Sequence, residues 1–220
     1  MYFSPPRAAY RNTFLSLTKL LVAIALTSNV VHAEAPSIRS TKVATFAGGC
    51  FWCMEPPFES LDGVLSVISG YTGGSRVNPT YEEVSSGTTK HAESIQVTYD
   101  PEKISYATLL DVYWHNIDPL IKNQQFCDKG TQYRSAIFYH DDDQRTLAEA
   151  SKAELESSKR FNSPIVTEIV AATAFYPAEQ YHQDYYKKEP LRYKSYRYGC
   201  GRDRRLHELW GDVAGPNSKH

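Results

Sequence analysis

The sequence predicts an α/β (α+β) protein with a ferredoxin-like split βαβ core, in which helices pack on an antiparallel or mixed sheet. The main observation is the order of β-prone runs and helical patterns, which is strand, helix, strand, strand, helix, strand. The second observation is size and composition. A chain of 220 residues, 41% apolar and 22% charged, is typical of one soluble globular domain with its own core.

The elements of the first half follow from glycine turns and from the alternation of apolar and polar residues. They are a strand over residues 41–49, a helix over 50–61, a strand over 63–74, a loop over 75–90 and a strand over 91–100. Gly-Gly pairs end the first two strands. Pro56 and Pro57 fall inside the helix, so its first turn is expected to be irregular.

The second half begins with the clearest helical pattern in the chain. Its elements are helices over 105–119, 142–160 and 178–190, and strands over 133–140 and 164–172. Ser105 can cap the first of these helices, and Pro119 ends it. One face of this helix is apolar at helical spacing: Tyr106, Leu109, Leu110, Tyr113, Trp114 and Ile117. Residues 211–220 are expected to form a loose tail.

The first 33 residues have the pattern of a secretory signal peptide. Three basic residues precede the apolar run "LLVAIAL", small residues then lead to Ala33, and the first acidic residue is Glu34. A membrane anchor is the alternative, but the apolar run is too short to span a bilayer. The sequence therefore predicts cleavage near Ala33, an exported periplasmic or secreted protein without a stable membrane anchor, and a single domain over 34–220.

The mature chain would be slightly acidic. Removing residues 1–33 leaves 187 residues (220 minus 33), with 21 basic residues (24 minus 3) and 25 acidic ones, a net charge of about −4. That balance argues against a nucleic-acid-binding protein, which needs a cationic surface. Four cysteines are too few for a disulfide framework, but outside the cytoplasm their redox state matters.

The stretch "GGCFWCMEPPF" over residues 48–58 combines two thiols with two large aromatic side chains at a predicted strand-to-helix junction. A helix N-terminus favours negative charge, so this position favours a thiolate at Cys50, and the glycines let the backbone approach a ligand. The alternative is a buried, inert cysteine. Phe51 and Trp52 either pack in the core or hold a small apolar group beside Cys50.

Cys50 and Cys53 form a Cys-x-x-Cys pair whose sulfurs lie within reach of each other over one helical turn. Such a pair can alternate between a dithiol and a disulfide. A zinc site is disfavoured, because the other two cysteines, Cys127 and Cys200, are single and far apart in the sequence.

Glu93 is the most informative residue outside that stretch. In the predicted strand over 91–100 it lies on the same face as Ile95, Val97 and Tyr99. Burial disfavours a charged carboxylate and raises its pKa, so Glu93 is expected to keep a proton near neutral pH and to act as a general acid. The alternative is that this face of the strand is exposed to water.

A thiolate, a proton donor and an aromatic slot suit attack on an electrophilic sulfur or an acyl carbon, while the acid protonates an oxygen. A cysteine protease would use a histidine base instead, and neither His91 nor His182 has a protease signature around it. Three further polar residues lie at loop or strand edges: Tyr81, Asp128 and Tyr133. Each alone is more often structural, and only together do they indicate a site.

Six segments, in one order along the chain, resemble peptide methionine sulfoxide reductases of the A type: "GGCFWCMEPPF", "GYTGG", "NPTYEEV", "HAESIQVTYDP", "DKGTQYRSAIFYH" and "AEQYHQDYY". The resemblance runs from about Thr41 to at least Tyr186. It implies a two-layer α/β sandwich and a catalytic domain that reduces methionine S-sulfoxide, free or in proteins, to methionine. It also implies a protein-repair enzyme with no bound cofactor or metal, and we expect a monomer.

The resemblance also implies roles for individual residues. Cys50 attacks the sulfoxide sulfur, and Glu93 protonates the sulfoxide oxygen. The other implied residues contact the substrate or support the site: Tyr81 and Tyr133 at the oxygen, Phe51 and Trp52 at the methyl group, and Asp128 as support. The products are methionine and a sulfenic acid on Cys50, which is a reversible oxidation state of cysteine.

A second thiol then closes a disulfide, and an external thioredoxin-like donor, or dithiothreitol in vitro, reopens it. Members of the family resolve the sulfenic acid either at the position of Cys53 or near the C-terminus, and this chain offers both Cys53 and Cys200. Both stay open, with Cys127 as a weaker third candidate whose alternative is a free structural thiol. An exported enzyme needs a donor outside the cytoplasm.

Two other functions stay open on the residues alone. An exported thiol–disulfide oxidoreductase would use Cys50 and Cys53 but would not need Glu93. A tyrosine-rich binding module, suggested by the 16 tyrosines, would need neither thiol.

Overall fold

A computed structural model describes residues 1–4 and 40–213. The chain divides into two units, Met1–Ser37 and Ile38–His220, and the described helices and strands all belong to the second. Most of the predicted signal peptide and residues 214–220 of the predicted tail lie outside the described residues, so both stay predictions. Across the described ranges, no helix is long and apolar enough to cross a bilayer.

The described part of the chain alternates strands and helices. The strands are β1 (Lys42–Gly48), β2 (Val64–Thr72), β3 (Ala92–Tyr99), β4 (Gln124–Gln125), β5 (Asp128–Lys129), β6 (Ser135–Tyr139), β7 (Glu168–Ala171) and β8 (Tyr176–Pro177). The α-helices are α1 (Phe51–Glu59), α2 (Tyr81–Ser85), α3 (Tyr106–His115), α4 (Asp142–Ser157), α5 (Tyr185–Lys188), α6 (Pro190–Gly199) and α7 (Arg202–Trp210).

The main sheet has six strands in the order β7-β6-β1-β3-β2-β8. Its central four strands pair antiparallel, with β3 inserted between β1 and β2, which is the split βαβ arrangement. β7 adds to one edge in parallel with β6, so the whole sheet is mixed. The predicted fold class is therefore confirmed.

The core lies where α1 and α3 pack on one face of β1. The Phe46 ring stacks on Phe58 of α1 at 5.3 Å and on Tyr113 of α3 at 5.0 Å between ring centroids. All three side chains are fully buried. Removing a side chain of this size from water stabilises the fold by about 1.5–3 kcal/mol. This packing fixes the junction between β1 and α1, where the predicted thiol pair lies.

Two of the predicted elements differ from the structure. The predicted loop over 75–90 contains α2, because Thr80 and Glu83 form a capping box that satisfies the first backbone N–H groups of a short helix. The predicted helix over 178–190 shrinks to the four residues of α5, because Asp184 adopts a left-handed φ of 54°. The next helix starts at Pro190, whose ring fits the first helical turn.

Helices α6 and α7, residues 190–210, form a C-terminal arm that the sequence patterns did not predict. A disulfide between Cys127 and Cys200 attaches this arm to the segment before β5. The reading of Cys127 as a free structural thiol is therefore wrong, since its partner lies 73 residues away in sequence and only the fold brings the two together.

Replacing Cys127 with Ser is expected to lower the free energy of unfolding by about 2–4 kcal/mol, because the long loop closed by the disulfide becomes free in the unfolded chain. Urea unfolding would measure the change. Wild-type protein with this disulfide reduced is the control, and it should unfold at the same urea concentration as the variant. A variant as stable as the oxidised wild type would contradict the prediction.

Candidate active site

Two glycines at the end of β1 let the chain turn sharply into α1. Gly49 has a φ of +82°, and a Cβ there would lie 2.5 Å from Gln125 Cβ. A Cβ on Gly48 would lie 2.6 Å from Met54 Sδ. Only glycine fits both positions, and the turn places Cys50 as the N-cap residue of α1 with 6% of its surface exposed.

Glu93 lies on β3 directly beside this helix start. Its Oε2 accepts a hydrogen bond from the Phe51 backbone N–H at 3.2 Å, and the residue is 2% exposed. Burial raises the pKa of Glu93 to about 8, helped by the negative charges of Asp128 and Cys53 and opposed by the Phe51 N–H. The prediction of a buried carboxyl that is neutral near pH 7 agrees with this geometry, and the exposed alternative does not.

The pKa values of the two thiols are shifted in opposite directions. Burial raises the pKa of Cys50 well above its usual range, and the neighbouring Cys53, Glu93 and Asp128 raise it further. A hydrogen bond from Cys50 lowers the pKa of Cys53 to about 6 against the effect of burial, with help from the charge of Arg202. Burial therefore opposes the thiolate that the helix start favours on Cys50, while the hydrogen bond between the two thiols favours negative charge on Cys53.

Phe51 and Trp52 line one side of the site from the first turn of α1. Phe51 is 1% exposed, whereas Trp52 is only partly buried. The Trp52 indole stacks on the Tyr185 ring at 3.7 Å, and the Tyr196 ring meets it edge-on at 5.9 Å. Phe51 is therefore buried beneath Trp52 at the start of α1, and the contact of either side chain with a substrate methyl group stays a prediction.

His182 connects these aromatic side chains, a position that the sequence did not indicate. Its Nδ1 accepts the Trp52 indole N–H at 3.1 Å, and its ring lies 5.0 Å from Phe51 and 4.4 Å from Tyr81. Burial lowers the pKa of His182, which keeps the ring neutral and Nδ1 available as an acceptor. The ring fixes the orientation of Trp52 rather than acting as a base toward Cys50.

Tyr81 and Tyr133 lie near enough to the carboxyl and the thiol for those groups to affect the pKa of each phenol. Burial raises the pKa of Tyr81 to about 12, with contributions from the charges of Glu93 and Cys50. The pKa of Tyr133 is also raised, first by burial and then by the charge of Glu93. Both phenols therefore stay protonated and offer O–H groups as hydrogen-bond donors.

Asp128, in β5, borders the site beside the disulfide. Its Oδ2 accepts a hydrogen bond from the Tyr196 hydroxyl and lies 4.0 Å from Cys200 Sγ. Burial raises its pKa, and the Tyr196 hydroxyl and the charge of Arg202 oppose that shift. The fold thus brings the predicted residues into one region: Cys50, Phe51, Trp52, Cys53, Tyr81, Glu93, Asp128, Tyr133 and Cys200.

Four residues near the thiols were missed: His182, Tyr196, Arg197 and Arg202. Three of them belong to the C-terminal arm, whose sequence is polar and lacks a long apolar stripe. Two signals were available: His182 lies in the segment "AEQYHQDYY" that carries the family resemblance, and two arginines flank Cys200 in "RYGCGRD".

Comparisons with known proteins agree with this geometry. The profile of the family described as "Peptide methionine sulfoxide reductase" matches residues 42–214. A protein of that name from Bacillus licheniformis is 56% identical over 170 residues, which cover 77% of this chain and 94% of the relative. One from Listeria monocytogenes is 54% identical over 171 residues, covering 78% and 97%.

Solved structures with a similar fold agree with these sequence matches. The reduced form of Mxr1 from Saccharomyces cerevisiae is similar with a TM-score of 0.63 and 36% identity, covering 69% of this chain and 87% of that one. Methionine sulfoxide reductase A of Corynebacterium diphtheriae is similar with a TM-score of 0.62 and 33% identity, covering 69% and 76%. This chain belongs to the peptide methionine sulfoxide reductase family.

Proposed function

We propose that this protein is a peptide-methionine (S)-S-oxide reductase, which reduces methionine S-sulfoxide, free or in proteins, to methionine and so repairs oxidised proteins. The observation that carries the proposal is the Glu93 carboxyl, buried and hydrogen-bonded to the Phe51 N–H next to the Cys50 thiol. A nucleophilic sulfur and a neutral acid in one buried site are what sulfoxide reduction requires.

The proposed reaction transfers one oxygen atom from the substrate to the enzyme. Cys50 Sγ attacks the sulfoxide sulfur and gives up its proton to the Cys53 thiolate, while Glu93 donates a proton to the sulfoxide oxygen. The hydroxyls of Tyr81 and Tyr133 stabilise the charge that develops on that oxygen. The attack forms a bond between Cys50 Sγ and the substrate sulfur. The protonated oxygen then moves to Cys50 Sγ as this sulfur–sulfur bond and the original S–O bond break, which leaves methionine and a sulfenic acid on Cys50, so the substrate is reduced by two electrons and the thiol is oxidised by two.

The substrate methyl group would lie against the aromatic side chains. Trp52 offers a partly accessible indole face whose orientation is fixed by His182, and Phe51 closes the slot from the buried side. Asp128 would support the site by holding the Tyr196 hydroxyl, which in turn positions the edge of the Tyr196 ring against Trp52.

Cys53 is the better candidate to resolve the sulfenic acid. It is unpaired and one helical turn from Cys50, with its N–H donating to the Cys50 carbonyl at 3.0 Å. Cys200 is already bonded to Cys127 and would have to be released first. Attack by Cys53 on the sulfenic acid forms the 50–53 disulfide and releases water.

Mass spectrometry after a single turnover without reductant would identify the resolving cysteine. The expected product is a 50–53 disulfide with the 127–200 disulfide unchanged. Cys53→Ser should instead stop at the sulfenic acid. A disulfide between Cys50 and Cys200 in the wild type would contradict this route.

The electron donor is proposed to be a thioredoxin-like protein outside the cytoplasm, with dithiothreitol as its substitute in vitro and no bound cofactor. The location of the donor follows from the expected signal peptide over residues 1–33. Cleavage near Ala33 would release an exported monomer in which residues 34–220 form the catalytic domain. Fractionation of cells with N-terminal sequencing tests it. A mature protein beginning at Glu34 is expected, and full-length protein confined to the cytosol would contradict export.

The rival function, thiol–disulfide exchange through Cys50 and Cys53, is not favoured by the family relationship, and it gives no role to a neutral Glu93. Turnover of peptides carrying either sulfoxide epimer, with dithiothreitol as reductant, separates the two functions. We expect reduction of the S epimer alone. Protein that leaves this peptide unchanged but rapidly reduces insulin disulfides would establish the rival.

The pH dependence of kcat/KM is expected to be bell-shaped. Glu93 must be protonated to act as the acid, and its pKa is raised to about 8, so activity falls as the pH rises through about 8. The Cys53 thiolate must be free to accept the Cys50 proton, and its pKa is lowered to about 6, so activity falls as the pH drops through about 6. Initial rates across this range measure both limbs, and a flat profile would contradict the assignment.

A further inference from the structure

The Cys127–Cys200 disulfide and the neighbouring Asp128 carboxylate bring three potential metal ligands together. Asp128 Oδ1 lies 3.6 Å from Cys127 Sγ, and Asp128 Oδ2 lies 4.0 Å from Cys200 Sγ. One ligand atom from each residue lies within 4.8 Å of the other two. The sequence disfavoured zinc because the two cysteines are 73 residues apart, and the fold removes that objection by bringing their Cα atoms to 5.0 Å from each other.

These distances fit the tetrahedral coordination of zinc. Zn–S bonds of about 2.3 Å and a Zn–O bond of about 2.1 Å place two sulfurs about 3.8 Å apart, and a sulfur and an oxygen about 3.6 Å apart. The distances from each sulfur to the Asp128 carboxylate are already close to the second value. Only the two sulfurs must separate, and atoms no longer bonded to each other settle at about 3.5–4.0 Å, which is the spacing that zinc requires.

Hydrogen bonds from the surrounding chain already orient two of the three ligands. The Tyr196 hydroxyl donates to Asp128 Oδ2, so Oδ1 is the oxygen turned toward Cys127. The Cys127 backbone N–H donates to Cys200 Sγ at 3.2 Å. Outer contacts of this kind fix the direction of metal ligands and strengthen binding. They do not involve the S–S bond, so they can remain when that bond is reduced.

The three ligands are accessible to a metal ion from solvent. Cys127 is exposed, whereas Asp128 and Cys200 are half-buried. Both cysteines line an open surface cavity of about 670 Å³, together with Leu191, Arg192, Ser195, Tyr196 and Gly199. A cavity of this size has room for a water molecule as a fourth ligand. Two thiolates and a carboxylate carry one negative charge more than zinc neutralises, and Arg192 supplies a positive charge in the same cavity.

We propose that Cys127, Asp128 and Cys200 bind zinc when their disulfide is reduced, with water as the fourth ligand. A dithiol reductant first donates two electrons and two protons, so that the S–S bond breaks, both cysteines become thiols and the reductant becomes a disulfide. Zinc then binds both sulfurs and the carboxylate and displaces the two thiol protons to solvent. The site uses neither Cys50 nor Cys53, and the proposal does not depend on the proposed function.

The metal takes over the structural task of the disulfide. In the oxidised protein the S–S bond attaches the C-terminal arm to the segment before β5. In the reduced protein the two Zn–S bonds join the same two residues. Zinc therefore stabilises the reduced protein, because it binds the folded chain, in which the three ligands are assembled, more tightly than the unfolded chain.

Metal binding is measured in a Cys50→Ser/Cys53→Ser variant, which retains Cys127 and Cys200 as its only cysteines. The protein is reduced with dithiothreitol, which is then removed by gel filtration without oxygen because dithiols also bind zinc. Titration with cobalt, a spectroscopic substitute for zinc, should produce thiolate-to-cobalt charge-transfer absorption and the visible bands of tetrahedral coordination, complete at one equivalent. Zinc should displace the cobalt and raise the temperature of thermal unfolding. The same variant kept oxidised should show neither effect.

Two further substitutions in this variant locate the metal. Cys127→Ser should abolish binding of one equivalent. Asp128→Asn keeps an oxygen that accepts the Tyr196 hydroxyl but removes the charged ligand, and should weaken zinc binding by roughly tenfold or more. Asp143→Asn, which changes an exposed carboxylate in the first turn of α4, is the matched control and should leave binding unchanged.

Two results would overturn the proposal. One is a reduced, folded protein that binds cobalt and zinc no more tightly than the oxidised protein does. The other is binding that Cys127→Ser or Asp128→Asn leaves unchanged, because the metal would then lie elsewhere. If the Cys50→Ser/Cys53→Ser variant does not fold, reduced wild type takes its place. Cys127→Ser must then bind one equivalent less than wild type, and equal binding by the two proteins would refute the site.

Discussion

A Cys50→Ser variant is expected to lose reduction of a methionine sulfoxide peptide by roughly four or more orders of magnitude, with dithiothreitol as the reductant. Serine keeps the size and the N-cap position, but its hydroxyl is a far weaker nucleophile toward sulfur. Cys53 is not expected to replace it, because Cys53 is 1% exposed and packs against Tyr185 and Tyr193. The rate of methionine formation measures the loss.

The matched control is the same substitution at an exposed, disulfide-bonded cysteine. Cys127→Ser removes the disulfide with Cys200 but leaves both buried thiols and Glu93 in place, so turnover with dithiothreitol should stay within a few-fold of wild type at a temperature where the variant is folded. If Cys50→Ser turned over the peptide as fast as wild type, sulfur attack by this residue would be excluded.

A Glu93→Gln variant is expected to lose roughly 10²–10⁴-fold in turnover, which is the usual contribution of a positioned general acid. The amide oxygen still accepts the Phe51 N–H, so the local structure is kept, but the side chain has no acidic proton to give to the sulfoxide oxygen. The basic limb of the pH profile near pH 8 should also disappear, because the group that titrates there is gone.

Glu55→Gln is the matched control for this change. Glu55 is also fully buried, and burial raises its pKa to about 7, but its carboxylate accepts from Ser69 Oγ at 2.8 Å and from the Asp184 backbone N–H rather than from the start of α1. Its replacement should alter stability more than turnover. Equal losses of activity in the two variants would mean that burial of a carboxyl, rather than proton donation by Glu93, explains the effect.

Patterns among neighbouring residues predicted the buried face of a strand, a helix cap and a glycine turn. Alternation along β3 placed Glu93 on the buried face, where Ile95, Val97 and Tyr99 belong to one apolar cluster with side chains of α1 and α3. Ser105 caps α3 as expected, since its side chain accepts the Thr108 N–H. The glycine pair before Cys50 predicted a close approach of the backbone, and the space that Met54 and Gln125 occupy explains why.

Long-range features could not be predicted in this way. The Cys127–Cys200 disulfide joins segments that meet only after the sheet and the C-terminal arm have packed. The pKa shifts of the thiol pair depend on the hydrogen bond between the two thiols, on burial and on distant charges such as Arg202, which is 149 residues away from Cys53 in sequence (202 minus 53). The role of His182 likewise depends on Trp52 lying beside it, and nothing in the sequence around His182 indicates that contact.

Trapping of the sulfenic acid on Cys50 examines the proposed chemistry at the reacting atom. In Cys53→Ser with the 127–200 disulfide intact, Cys50 is the single free thiol of a chain with four cysteines. One equivalent of S-sulfoxide peptide is added without reductant, followed by dimedone, and both the protein and the peptide are analysed by mass spectrometry. We predict one dimedone adduct on Cys50 for each methionine formed, whereas methionine formed without an adduct on Cys50 would contradict attack by this thiol.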